Sequence, residues 1–395
     1  MRVVLVSIFV FLAVIILGIF IFSVVRNGGV GGGDENKKAT TGNILVIKTI
    51  DGGNTWNAAS NVFVPPQTDA PDDTTIDAKI PRSTPFDLAL LTSKPQQDDT
   101  LLLSTNDGGL FTTTNGSELW HRVAPENELL ANRGNLTRIT AQTNGDGIVY
   151  VSYAREGGSG VLRIDTHADP EAVERVYVGS NAQDTVTAVA IDQNDSNTVT
   201  IGTSKGAIIQ TTNRGQTWRT LQFFEKPIFN LATSNRDSRA LYMHTQDQLY
   251  KSFDRGTTWD HITPIFRSAL PRNAKTEIRG LITDPSDSLT VYVATPTSLV
   301  RTKNGGNSWE FLPLPSSRSD ISITSLAIQP TDPRVIYVSS GSTMYKSVDS
   351  AATWHIFPIE TSSIIGNLTV SASNPAVLYA TIKQPEKKST FSIGR

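Results

Sequence analysis

Residues 284–309 read Asp284-Pro-Ser-Asp-Ser-Leu-Thr-Val-Tyr292-Val-Ala-Thr-Pro-Thr-Ser-Leu-Val-Arg-Thr302-Lys-Asn-Gly-Gly-Asn-Ser-Trp309. A β-branched run around Tyr292 leads to a second apolar run, then to an octapeptide of turn-forming residues ending in tryptophan. Every tryptophan of the chain ends such an octapeptide: Thr49–Trp56, Thr113–Trp120, Thr211–Trp218, Ser252–Trp259, Thr302–Trp309 and Ser347–Trp354. Tyr242, Tyr292 and Tyr337 each stand 17 residues before their tryptophan, and Leu102 and Thr200 hold the matching place at 18. Tyr150 begins a further unit whose octapeptide has eroded near Ile164–His167, which fills the double gap between Trp120 and Trp218. Two landmarks in fixed register over units of about 40–50 residues mark a repeat architecture, and that length supplies the four strands of one propeller blade.

The octapeptide is built for a tight turn between antiparallel strands. Its Ser/Thr hydroxyl and the side chain two places on (Asp51, Asn115, Asn213, Asp254, Asn304, Asp349) can accept backbone N–H groups that the turn leaves unpaired. Glycine supplies a positive φ. These Asp and Asn residues are read as structural, because a chemical site is not needed six times. Trp56, Trp120, Trp218, Trp259, Trp309 and Trp354 start the next strand and are expected to be buried, so that Trp309→Ala would cost about 3–5 kcal/mol.

Apolar runs at 186–191, 228–232, 278–282 and 323–328 precede the tyrosine strands. Six blades are thereby predicted at roughly 80–125, 136–179, 182–224, 226–264, 276–315 and 321–359. Residues 368–372 and 376–382 supply two inner strands with no octapeptide after them, and residues 44–50 with the first octapeptide supply two outer strands with nothing before them. Joining the halves closes a seventh blade and removes open sheet edges. Residues 390–393 compete with 44–50 for the same place. The expected fold is all-β: a seven-bladed β-propeller of four-stranded antiparallel blades over 44–395, closed by N- and C-terminal strands.

Residues 3–25 are apolar apart from Ser7, Gly18 and Ser23. As a helix they would span roughly 34 Å, enough for a hydrocarbon layer of about 30 Å. An apolar stretch longer than a signal peptide's, with no small-x-small exit site, predicts an uncleaved membrane anchor over residues 1–26. Residues 27–43 read as a flexible Gly-rich linker. Arg26, Lys37 and Lys38 beside the anchor favour a cytoplasmic C-terminus by simple count. Long domains translocate largely regardless of that count, and an extracytoplasmic propeller is expected.

Charged residues make up 18% of the chain and the net charge is −2, with Arg2 and Arg26 the only charges of the first 26 residues. Such a body lacks the clustered basic surface that nucleic acid requires. The absence of cysteine excludes disulfides, thiolate metal sites and a cysteine nucleophile. His121, His167, His244, His261 and His355 have no metal-ligand spacing and read as turn or outer-strand residues. No metal and no cofactor is expected.

The Ser/Thr-x-Asp-x-Gly-x-Thr-Trp pattern resembles the Asp-box, or bacterial neuraminidase repeat. The longer pattern of 284–309 is similar to the photosystem II stability/assembly factor family, to sortilin-type propellers and to xyloglucan-hydrolysing propellers. The resemblance covers about residues 44–383. It implies the propeller fold and, from the assembly factors, a non-catalytic partner-binding role. Sialidases share the box but carry an Arg-Ile-Pro motif, for which Lys79-Ile-Pro-Arg82 is the nearest segment here. Xyloglucan hydrolases pair two such propellers, and this chain has room for one.

In such a ring the boxes lie on one face and the long connections at 64–85, 121–135 and 265–276 on the other, which is the expected binding face for a protein or glycan partner. Charged residues near the starts of the innermost strands include Asp87, Arg138, Asp184, Glu225, Lys226, Glu277, Arg279 and Asp320. Asp184, Glu225, Glu277 and Asp320 are candidates for the paired carboxylates of a glycoside hydrolase. Arg138, Lys226, Arg267, Arg272 and Arg279 are candidates for partner binding; Arg267, Arg272, Lys275 and Arg279 form a modest basic cluster, and the opposing loop carries Asp69, Asp72, Asp73 and Asp77. The reading favoured is a membrane-tethered binding or assembly scaffold, with glycoside hydrolysis as the alternative.

Overall fold

The structure, a computed structural model, describes residues 46–59, 85–92, 99–105, 109–117, 119–131, 135–142, 147–155, 158–168, 171–179, 183–315, 321–359 and 364–383. Residues 3–25, 27–43, Lys79–Arg82 and 390–393 lie outside them, as do Asp69, Asp72, Asp73, Asp77 and Asp320. Among the described residues no helix is long and apolar enough to cross a membrane.

Seven four-stranded antiparallel sheets follow the repeat. Strands β1 (Val46–Thr49) and β2 (Asn57–Ala58) come first. Blade 1 holds β3–β6 (Pro85–Thr92, Thr100–Thr105, Leu110–Thr113, His121–Arg122) and blade 2 holds β7–β10 (Asn135–Ala141, Ile148–Arg155, Gly158–Asp165, Ala172–Val178). Blade 3 holds β11–β14 (Val186–Asp192, Asp195–Thr203, Ala207–Thr211, Arg219–Phe223) and blade 4 holds β15–β18 (Asn230–Thr233, Leu241–His244, Leu249–Ser252, Asp260–His261). Blade 5 holds β19–β22 (Gly280–Asp284, Asp287–Ala294, Leu299–Thr302, Glu310–Leu312) and blade 6 holds β23–β26 (Ile323–Ile328, Ile336–Ser340, Thr343–Ser347, His355–Pro358). Two short helices, α1 (Glu128–Ala131) and α2 (Thr263–Ser268), sit in the connections leaving blades 1 and 4.

Blade 7 is the predicted composite. Its order is β2-β1-β28-β27, where β27 is Ile364–Val370 and β28 is Leu378–Lys383. Strand β1 lies antiparallel to β28 with Val46 opposite Thr381 and Thr49 opposite Leu378. Residues 46–49 therefore fill the third-strand place for which 390–393 compete in the sequence.

The octapeptides form the expected turns. In the first, Gly53 N donates to Thr49 Oγ1 (3.0 Å), Thr55 N donates to Asp51 Oδ1 (2.9 Å), and the hydroxyls of Thr49 and Thr55 donate to the same carboxylate (2.8 and 2.7 Å). Asp254 and Asp349 repeat the pattern through Thr258 and Thr353. The asparagines keep the backbone bond: Ser308 N donates to Asn304 Oδ1 (2.9 Å) and Thr217 N to Asn213 Oδ1 (2.9 Å). In blade 6 the two left-handed turn positions are Ser350 and Ala351 (φ 61° and 70°), where glycine stands in the box of blade 7.

The core lies between blades rather than within them: each of seven apolar clusters bridges two neighbours. One, for example, joins Tyr337 and Met344 of blade 6 to Leu368 and Leu378 of blade 7. Here the expectation about tryptophan is corrected. Trp120 is fully buried, but Trp56, Trp218, Trp259, Trp309 and Trp354 are only half-buried. Tyr150, Tyr242, Tyr292, Tyr337 and Tyr379 are fully buried, as is Phe266 of α2. The tyrosines sit on second strands, where the blades lie close together near the axis. The indoles begin outermost strands, where diverging blades leave a rim open to water.

A second device ties the blades together. The residue just before the box hydroxyl reaches the box turn of the next blade: Lys48 Nζ donates to Gly116 O (2.8 Å), Gln210 Nε2 to Arg255 O (3.0 Å), Lys251 Nζ to Asn307 Oδ1 (2.9 Å), Arg301 Nη1 to Ser350 O (2.8 Å) and Lys346 Nζ to Gly52 O (3.3 Å). The cations of Lys48, Arg301 and Lys346 also lie 5.5–5.7 Å from the ring centres of Tyr379, Tyr292 and Tyr337. In blade 2 the corresponding Arg163 turns instead to Glu174 of its own sheet (3.3 Å).

Candidate functional site

Because the boxes cap the turns between third and fourth strands, the first strands begin on the opposite face. There they surround a cavity of about 570 Å³. Its wall takes Asp87 from β3, Arg138 from β7, Phe229, Asn230, His244 and Gln246 from the β15–β16 region, Glu277 to Ile282 from the head of β19, Thr324 to Leu326 from β23, and Asn367 from β27. The cavity thus opens on the face that carries the long connections.

Among the described residues two carboxylates line it, and both are occupied. Asp87 is buried; its Oδ1 accepts from Asn367 Nδ2 (2.5 Å) and from its neighbour Leu88 N (3.1 Å), while Oδ2 accepts from Ile139 N (2.9 Å). One carboxylate therefore ties blades 7, 1 and 2. Glu277 is ion-paired with Arg279 (3.2 Å), both more than a third exposed. Of the other predicted carboxylates, Asp184 lies between blades 2 and 3, with Oδ1 accepting from Lys205 N (3.0 Å) and Ser204 Oγ (3.3 Å). Glu225 is exposed on the connection between β14 and β15.

The predicted cations fall in three places. Arg138 and Arg279 line the cavity. Arg138 crosses to blade 4, where Nη2 donates weakly to Phe229 O (3.4 Å). Lys226 and Arg267 instead converge on Asp247 at the rim, at 2.8 and 3.3 Å. The Lys226 ammonium holds that carboxyl below its usual range, against the opposing effect of burial. Arg272 is exposed on the connection after α2.

His244 departs from the sequence reading. The other four histidines are exposed on turns or outer strands, as expected, whereas His244 is buried at the end of β16 and lines the cavity. Its Nδ1 lies 2.6 Å from Thr245 O, and its ring stacks on exposed Phe229 with centroids 6.5 Å apart. A carbonyl only accepts, so Nδ1 carries the proton. Burial pushes its pKa down to about 4; the Thr245 carbonyl opposes this and the Arg138 charge reinforces it. The only sequence signal was strand alternation from Tyr242, which places residue 244 on the same face one step nearer the mouth.

These shifts set the acid response of the fold. An unfolded chain takes up a proton on His244 near pH 6.5, whereas the native ring refuses it until about pH 4. Stability should therefore fall by about 3 kcal/mol as pH drops through that window. Denaturant melts at pH 7 and pH 4.5 test this, with His244→Asn expected to flatten the slope. A second loss follows from the boxes. Thr55 N–H holds the Asp51 carboxyl, and the Thr353 hydroxyl holds that of Asp349, down to about 2, so their contribution is intact above the ordinary 3.8 and disappears as pH falls toward 2.

No protein-family model matches this sequence, and no curated protein matches it. Among solved structures, the chain is similar to YCF48 bound to D1 peptide, with 14% identity, 77% of this chain and 97% of that one covered, and a TM-score of 0.54. It is similar to YCF48 from Cyanidioschyzon merolae at 16% identity, covering 76% and 95%, with a TM-score of 0.53. A GH74 xyloglucanase from Xanthomonas campestris gives 13% identity and a TM-score of 0.59, covering 74% of this chain. The present chain spans half the length of that xyloglucanase chain. At these identities the likeness is one of fold.

Proposed function

We propose that this chain is a non-catalytic binding scaffold whose cavity, on the loop-bearing face, takes a polypeptide segment of a partner protein. The repeat is read as the Asp-box, and residues 3–25 as a single-pass anchor that holds the propeller on the extracytoplasmic side of a membrane. The observation that carries the binding reading is the state of the two cavity carboxylates. Asp87 is saturated by donors from three blades, and Glu277 is neutralised by Arg279. Glycoside hydrolysis needs one carboxyl able to give a proton and a second held about 5–10 Å away as nucleophile or base. Arg138, Gln246 and exposed Phe229, by contrast, are groups suited to recognition. The YCF48 structure of like fold holds a D1 peptide, which supports a polypeptide over a glycan.

Full-length protein in mild detergent, probed with a peptide array and an oligosaccharide panel, tests this reading. Peptide binding weakened several-fold by Arg138→Ala is the expected result. Turnover of any oligosaccharide, or binding confined to glycans, would overturn it. The tether is checked separately: carbonate-washed membranes should retain the full chain and release one that begins at residue 44, and protease added from the extracytoplasmic side should reach the propeller.

A further inference from the structure

We infer that the cavity reads an uncharged hydrogen-bond donor, the amide N–H of an extended polypeptide, through Nε2 of His244, while the Arg138 guanidinium donates to the adjoining carbonyl. This rests on the binding reading above and names the chemistry of that same site.

Four observations carry it. The 2.6 Å contact to Thr245 O places the imidazole proton on Nδ1. That fixes Nε2 as a lone-pair acceptor, and among the described residues it takes no protein partner. The ring is held in orientation at the cavity wall by that bond and by the Phe229 ring stacked on it. Arg138 enters the same cavity from blade 2 and, among the described residues, spends one N–H, weakly, on Phe229 O. An acceptor and a cationic donor on one wall suit a group that itself offers N–H and C=O side by side. An amide does so; a carboxylate has nothing to donate to Nε2. Burial, which keeps the imidazole neutral, preserves the acceptor at ordinary pH.

The test uses full-length protein in detergent labelled with ¹⁵N at histidine. Before any probe is added, the His244 ring nitrogens should show the Nδ1–H tautomer; an Nε2–H tautomer would overturn the inference. N-acetylglycine N′-methylamide is then titrated, with sodium acetate as the comparison. A saturable shift of the His244 Nε2 signal with the amide and not with acetate is expected. No shift with the amide, or an equal one with acetate, would sink it. His244→Asn keeps the donor to Thr245 O but leaves no acceptor at the Nε2 position, and should weaken array peptides about three- to tenfold; His244→Gln, which returns an oxygen near the Nε2 position, should recover part of that. If array peptides bind and compete at the cavity while His244→Asn leaves their affinity unchanged, the role of His244 fails and the scaffold reading stands. If no peptide binds at all, both fail.

Discussion

A chain that begins at residue 60 is expected to lose the cooperative melting of the full-length protein, and one in which residues 44–59 are moved to follow residue 383 is expected to regain it. Starting at residue 60 removes β1 and β2 and exposes the edge of β28 along four paired positions. It deletes the buried side chains of Val46, Ile47 and Ala59 and half-buried Trp56. At about 1.5–3 kcal/mol for each large apolar group, the loss is roughly 5–10 kcal/mol, comparable with the whole stability of a typical domain. Three inter-blade bonds vanish as well, Lys48 to Gly116 O, Lys346 to Gly52 O and Trp120 Nε1 to Ala59 O. In the rearranged chain β28 and β1 become consecutive antiparallel strands, which a short Gly-containing loop can join because Val46 already faces Thr381. Calorimetry decides. A single transition at the full-length temperature for the chain starting at residue 60 would mean that blade 7 does not depend on its N-terminal strands.

The second large effect concerns which aromatic ring wedges the blades. Tyr337 is fully buried between blades 6 and 7 against Leu368 and Leu378. Tyr337→Ala should cost about 3–5 kcal/mol. Half-buried Trp354, the box residue of the same blade, should cost only about 1–2 kcal/mol on replacement by alanine. Burial alone pushes the Tyr337 phenol up to about 12, and its hydroxyl has no partner among the described residues. Tyr337→Phe should therefore be neutral or stabilise by up to about 1 kcal/mol. Urea titrations of the three variants check the order; a Trp354→Ala loss exceeding that of Tyr337→Ala would return the wedge to the indole.

Glu277, Arg138 and Arg279 were legible as cavity residues because they sit at the starts of innermost strands, a position the repeat itself identifies. His244 was not, since the end of a second strand carries no chemical signature and a lone histidine in a β-run reads as ordinary. The latch residues Lys48, Lys251, Arg301 and Lys346 were equally visible in hindsight, each directly before a box. Their role depends on a neighbour 49, 56 or 68 residues away or, for Lys346 and Gly52, 294.

By itself the sequence determined the blade count, the turn chemistry and the two-ended closure of the ring. Each of those is written within eight residues or in a period that repeats, so the chain states it several times over. Only the tertiary structure decided that tyrosine rather than tryptophan fills the seams, that Asp87 serves the scaffold and that His244 meets Arg138 in one cavity. Those facts depend on how far each strand lies from the axis, and on pairs such as Asp87 and Asn367 that stand 280 residues apart, where no local pattern can record the contact.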